Sequence, residues 1–131
     1  MTKVTRWQNC LCLQFAPDFS IFRDLSHRVR SANWAECISS NLPGLRGQLI
    51  SLSAGACVPE HKVQGAITVR PVLGRVQMTV LGSGSEDLET NRVQQYELGV
   101  GSLLSLRGGV PHDVRALEES CILVSIARAI R

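Results

Sequence analysis

Two histidines, His61 and His112, are the residues of this 131-residue chain whose type and setting suggest chemistry. They lie near the two ends of a stretch rich in β-forming residues, and a glycine precedes each of them, at Gly55 and at Gly101. Imidazole changes charge close to neutral pH, so such a pair can ligate a metal, transfer a proton or hydrogen-bond a small ligand. Both rings can equally be structural, satisfied by the protein or by water. The residues alone leave these interpretations open.

The segment around His61 offers further candidates. If it is a regular strand, Cys57, Pro59, His61 and Val63 share one face, because side chains alternate along a strand. Cys57 would then point into the same cavity as His61 and is a candidate third metal ligand. Gln64 lies on the following turn and can bend inward to contact a ligand.

The elements that position these residues are predicted to be β-strands. From residue 45 onward, turn residues recur at short intervals between alternating apolar and polar residues. Many short strands at such spacing predict an all-β sandwich or barrel. Pro71 cannot donate a ladder hydrogen bond, so its strand is expected to lie at an edge or to contain a bulge.

The first 44 residues have a different pattern. A short strand is predicted within 1–16, and another begins at Trp34. Between them, Phe22, Leu25 and Val29 follow the spacing of one helical face, which predicts a short amphipathic helix over 18–31.

Size and charge exclude several classes of function. The 131 residues suit a single domain, and the net charge of +3 is dispersed over single arginines, so no nucleic-acid partner is expected. There is no signal-like N terminus and no apolar run near the ~20 residues that a membrane helix needs, which predicts a cytoplasmic protein without a membrane partner.

The spacing of glycines and histidines resembles the two motifs of the cupin superfamily, over roughly residues 45–127. The first motif is matched by Gly55, five residues, His61 and the later Gly74, and the second by Gly101, five residues, Arg-Gly-Gly, two residues and His112. The resemblance implies an all-β double-stranded β-helix, or jelly-roll barrel, over 45–131. A strand and short N-terminal helix over 1–44 would pack on it as an extension. Similarity to small single-domain bacterial cupins also implies a homodimer.

The resemblance further implies a metal site of three histidines and a glutamate, from which this chain departs. Val63 stands at the second histidine, Ile67 or Thr68 at the glutamate, and Ala116 at the asparagine of the second motif. A catalytic transition-metal site normally takes at least three protein ligands. We therefore expect no tightly bound metal, and a divalent transition metal held by His61, His112 and Cys57 remains the alternative.

Other positions are candidates for ligand binding. Arg107 stands where cupins have a proline, just before His112, and a guanidinium there could hold a ligand carboxylate in a bidentate fork. Arg70 and Tyr96 are further candidates. Tyr96 is included because a tyrosine with a histidine is similar to the acid–base pair of cupin sugar epimerases.

Three hypotheses follow from these observations. The preferred one is a cupin that binds a small organic ligand in the barrel through His61 and His112, with the reaction unknown and catalysis left open. The second is a metal-dependent oxygenase or isomerase that uses the same histidines. The third is a non-catalytic dimeric interaction module with the N-terminal helix as its partner surface.

Overall fold

The computed structural model describes residues 3–7, 10–14, 34–83 and 91–128. These residues form eleven strands and their connections, and no helix is found among them. In this part of the chain, therefore, no helix could span a membrane. The strands are β1 (Lys3–Trp7), β2 (Cys10–Gln14), β3 (Trp34–Leu42), β4 (Leu45–Leu52), β5 (Cys57–His61), β6 (Ile67–Leu73), β7 (Arg75–Ser83), β8 (Asn91–Gly99), β9 (Leu104–Leu106), β10 (His112–Ala116) and β11 (Ser120–Ala127).

Two antiparallel sheets make up the barrel. One has the order β3-β4-β11-β6-β9 and the other β5-β10-β7-β8, while β1 and β2 form a separate hairpin. From β4 to β7, and again from β8 to β11, the chain crosses from one sheet to the other at every step. This alternation is that of a double-stranded β-helix, and it confirms the predicted all-β jelly roll. The helix predicted over 18–31, with Phe22, Leu25 and Val29, lies outside the described residues.

The main core lies between the two sheets. Val58, Met78 and Val114 from the four-stranded sheet pack in one cluster with Val69 and Ile122 from the five-stranded sheet, and all five are buried. Each comes from the alternating apolar positions of its strand, which is why the period of two in the sequence predicts this core. The same inner surface contains the candidate site.

The strand predicted to begin at Trp34 is confirmed as β3, and the strands predicted from residue 45 onward begin with β4 at Leu45. β3 pairs with β4 along most of its length, so the five-stranded sheet begins within residues 1–44, which the sequence assigns to the extension. The irregularity expected at Pro71 is also confirmed. Ile122 pairs with Pro71 and Cys121 with Leu73, so β6 has one extra residue there.

Two cysteines are part of a second buried cluster. Cys37 and Cys121 pack with Leu49 and Leu73, and burial raises the pKa of the Cys121 thiol to about 12. A thiol with so high a pKa is protonated at neutral pH and is a poor metal ligand. These two cysteines therefore act as small core residues.

Candidate functional site

A cavity of about 140 Å³ lies between the two sheets. An apolar cavity of about 150 Å³ is large enough to bind benzene, so this one suits a ligand of about six heavy atoms. Apart from Trp34, Gln48 and the two histidines, its walls are aliphatic. It is lined by Trp34, Gln48, Ile50, Val58, His61, Val63, Ile67, Val69, His112, Val114, Ile122, Val124 and Ile126.

Strand pairing brings the two predicted histidines together. His61 is the last residue of β5 and His112 the first of β10, and the two are direct partners in the antiparallel ladder. Their ring centroids are 4.4 Å apart and the ring planes make an angle of 61°. Both side chains line the cavity, although His112 is only 4% exposed and His61 is exposed. The sequence therefore identifies the one pair of imidazoles that the described part of the fold places in contact.

A bulge in β5 determines which of its side chains point inward. His61 pairs with His112 and Val58 with Val114, so β5 has one residue more than β10 over this interval. Val58 and His61 line the cavity as a result, whereas Cys57 is exposed and is absent from its walls. The shared face predicted for Cys57 and His61 assumed a regular strand, and the bulge is the physical reason that this prediction is wrong.

The hydrogen bonds of the two rings fix their neutral tautomers. The Nδ1 of His61 lies 2.8 Å from the carbonyl oxygen of Pro59, and the Nδ1 of His112 lies 2.9 Å from that of Val110. A carbonyl oxygen only accepts, so each Nδ1 must carry the hydrogen and donate it. In the neutral form of either ring, Nε2 is then left with a lone pair that can accept a hydrogen bond from a ligand.

Burial is the main influence on the ionisation of His112. Desolvation lowers the pKa of this imidazole below its ordinary value of 6.5, the hydrogen bond to Val110 raises it, the charge of His61 lowers it, and Asp113 raises it. The net direction is downward. At neutral pH, His112 is therefore uncharged and presents Nε2 as an acceptor.

This pKa shift predicts a pH-dependent stability. In the unfolded chain His112 takes up a proton near pH 6.5, whereas in the folded chain it does so only at lower pH. The unfolded state therefore binds more protons in this interval, and the free energy of unfolding should fall as the pH is lowered from about 6.5. Urea denaturation at pH 7.5 and 5.5 should show a larger fall for the wild type than for His112→Leu. Equal falls in both proteins would contradict the assignment.

The residues around the histidines do not fit a tightly bound transition metal. Among the described residues, no group of three or more His, Cys, Asp or Glu side chains could hold one. Val63 lines the cavity at the second histidine position of the cupin motif, and Ala116 is buried in the core. Two imidazoles without a third protein ligand fall short of a catalytic site.

The other predicted ligand-binding residues lie outside this cavity. Gln64 lines a separate groove next to it, described below. Arg70 and Arg107 are exposed, and Arg70 alternates with the inward-facing Val69 on β6. Tyr96 is 38% exposed on β8, where its hydroxyl donates a hydrogen bond to Gln94. None of Arg70, Arg107 and Tyr96 is among the residues that line the cavity.

The groove contains two arginines that the sequence analysis missed. It has a volume of about 500 Å³ and meets the cavity at Val63 and Ile126, which line both. Arg46 projects from the same face of β4 as Gln48, so strand alternation from the cavity-lining residues could have identified it. The groove is lined by Arg46, Val63, Gln64, Gly65, Ile126, Ala127 and Arg128.

Comparison with known proteins supports the fold, and it does not assign the chain to a family. No family model and no curated protein matches the chain. Three solved structures that do match differ in how much of each protein is covered. They are a conserved SPY1581 protein of unknown function from Streptococcus pyogenes (17% identity, TM-score 0.63, 78% of this chain and 80% of that one), KdgF from Halomonas sp. (16%, 0.61, 76% and 82%) and oxalate decarboxylase from Bacillus subtilis (24%, 0.58, 65% and 21%).

The two facing sheets, the alternating strand order and these structural neighbours together show that this chain has the cupin fold. This confirms the fold that the glycine and histidine spacing implies. The matching region spans about a fifth of oxalate decarboxylase, at 21% of that chain. The likeness therefore concerns the barrel alone.

Proposed function

We propose that this protein binds a small organic molecule inside the barrel, with a polar group of that molecule hydrogen-bonded to the Nε2 atoms of His61 and His112. The observation that supports this most is the contrast within one cavity. Its walls are largely aliphatic, and two imidazoles meet there with a centroid distance of 4.4 Å. An apolar pocket with few convergent polar groups is the usual form of a small-molecule site.

The tautomers define the polar group that such a ligand should have. Both Nδ1 atoms are occupied by backbone carbonyls, so the neutral rings offer only acceptors to the cavity. A hydroxyl or a protonated amine supplies the complementary donor. The proposed ligand is thus a compact apolar molecule with a donor group, and the two rings are also placed to take its proton.

A matched pair of probes tests the proposal. Phenol and toluene have the same size, and only phenol can donate a hydrogen bond. Both should bind to the wild type by calorimetry, and in His112→Leu the affinity of phenol relative to toluene should fall by about tenfold, because a buried hydroxyl without a partner costs about 1–3 kcal/mol. His61→Leu should also lower the affinity of phenol relative to toluene.

Toluene serves as the internal control in this experiment. Its affinity should be kept in both leucine variants, which shows that the cavity is intact. If neither probe binds the wild type, the proposal is wrong. It is equally wrong if the ratio of the two affinities is the same in all three proteins.

The metal-dependent enzyme, the homodimer and the cytoplasmic location stay predictions. The donor set described above does not favour the metal-dependent alternative. The apolar helical face that motivates the interaction module lies outside the described residues.

A further inference from the structure

The groove beside the histidine cavity is lined by two arginines from distant parts of the chain. Arg46 is near the start of β4 and Arg128 follows the end of β11. The main-chain N–H of Arg128 donates to the carbonyl of Gly44 at 2.9 Å, which fixes the end of β11 beside the β3–β4 turn. The Nη2 of Arg128 donates to the Oδ1 of Asn41 at 3.2 Å. The fold itself therefore holds both cations at this position.

Arg46 is only partly satisfied by the protein. Its Nη2 lies 3.4 and 3.5 Å from the two carboxylate oxygens of Glu36, which is long for a charge-assisted hydrogen bond. Its Nε is buried and has no hydrogen-bond partner among the described residues. A buried N–H without an acceptor is costly, and with only the long contacts to Glu36 the guanidinium of Arg46 is left short of strong acceptors.

The charges around the groove favour an anion. Across the described ranges, Glu36 is the one carboxylate recorded against either guanidinium, while Arg128 contacts only a neutral amide. The groove therefore has two guanidinium groups and one carboxylate, which leaves a net positive charge. The planar guanidinium fork of an arginine matches the two oxygens of a carboxylate.

The groove and the histidine cavity are neighbouring spaces with a common wall. Val63 and Ile126 line both, so a ligand whose apolar group lies against His61 and His112 would pass these two side chains to reach Arg46 and Arg128. Gln64 adds an amide to the wall of the groove.

We propose that the ligand is an organic carboxylate, with its apolar body in the histidine cavity and its carboxylate in the groove on Arg46 and Arg128. This inference rests on the proposed function, because the apolar body occupies the site described there. It adds the charge of the ligand and the residues that recognise it.

The test compares phenylacetate with phenylacetamide, which is nearly the same shape and uncharged. In the wild type, phenylacetate should bind about tenfold more tightly, and the difference should shrink at high salt. Arg46→Gln and Arg128→Gln should each remove most of this preference while leaving toluene binding unchanged. Arg115→Gln, which removes a charge from an exposed position of β10, should keep it.

The outcomes separate this inference from the proposed function. If toluene binds but phenylacetate has no advantage, or keeps its advantage in both groove variants, the carboxylate assignment is wrong and the cavity proposal stands. If inorganic phosphate alone competes as well as phenylacetate, the apolar body is not recognised and the inference is overturned. If toluene does not bind, both are wrong. Should Arg46→Gln fail to fold, Arg128→Gln decides.

Discussion

Replacing Val124 by phenylalanine is expected to weaken toluene and phenol binding by about 10- to 150-fold. Val124 lies on β11, is 8% exposed and lines the histidine cavity, so a phenyl ring at this position would occupy the space of the probe. The magnitude follows from the ~1.5–3 kcal/mol gained on burying a side chain of this size, which the probe could no longer gain. Isothermal titration of both probes measures the effect.

A matched substitution separates filling of the cavity from a general effect of the larger side chain. Val93 on β8 is 55% exposed, and Val93→Phe should leave both affinities as in the wild type. Val124→Phe should also remain folded, since the new ring occupies existing space and limits the ~1–3 kcal/mol that overpacking typically costs. Undiminished toluene binding by a folded Val124→Phe protein would show that the probe binds elsewhere.

The second large effect is expected from Gly65→Ala, which should destabilise the fold by about 2–3 kcal/mol. A Cβ on Gly65 would overlap the carbonyl oxygen of Ala127 and lie 2.8 Å from its carbonyl carbon. Because both are backbone atoms, the β5–β6 loop and the end of β11 would have to separate. The hydrogen bond from the N–H of Ala127 to the carbonyl of Ala66, now 2.8 Å, would be lost.

Thermal denaturation should show this change as a Tm lower by roughly 10 °C. The groove shares both Gly65 and Ala127, so the preference for phenylacetate should fall in the same variant. Gly47→Ala is the control, since its Cβ would meet only the Cβ of Ser40 at 3.9 Å and the change should stay within about 1 kcal/mol. Equal stability of the two variants would contradict the close packing of this loop.

The glycine pattern explains why so much of the fold could be predicted. Gly55, Gly74 and Gly101 have φ angles of 81°, 77° and 98°, a region that other residues rarely adopt. Turns of this kind restrict the sequence locally, and their spacing is therefore visible without a structure. The alternation of apolar residues between them then gives the strands and the inner face.

The bulge in β5 could not be predicted in the same way. An extra residue in a strand is defined only against its partner, and β10 lies far away in the sequence. The pattern from Cys57 to Val63 is compatible with a regular strand, which led to the wrong face for Cys57. The histidines themselves were found because each motif places its own histidine independently of the bulge.

The arginine groove is also a product of long-range contacts. Arg46 and Arg128 line the same groove because β4 pairs with β11, with Leu45 opposite Ala127, and nothing in either local sequence indicates the other. Neither position belongs to the motifs that the chain shares with cupins. The pairing of distant strands therefore forms the arginine groove, which in our proposal selects a negatively charged ligand.

The most direct test of the central claim is the ¹⁵N NMR spectrum of the His61 and His112 rings during a titration with phenol. In the free protein at pH 7.5, His112 should show a protonated Nδ1 and an unprotonated Nε2, as the hydrogen bond to Val110 requires. Saturation with phenol should shift the Nε2 signals and leave Nδ1 of His112 protonated. Toluene cannot donate a hydrogen bond to Nε2, so it should not produce this shift. Ring signals that do not change with phenol, or a His112 ring protonated at Nε2 instead of Nδ1, would contradict the account.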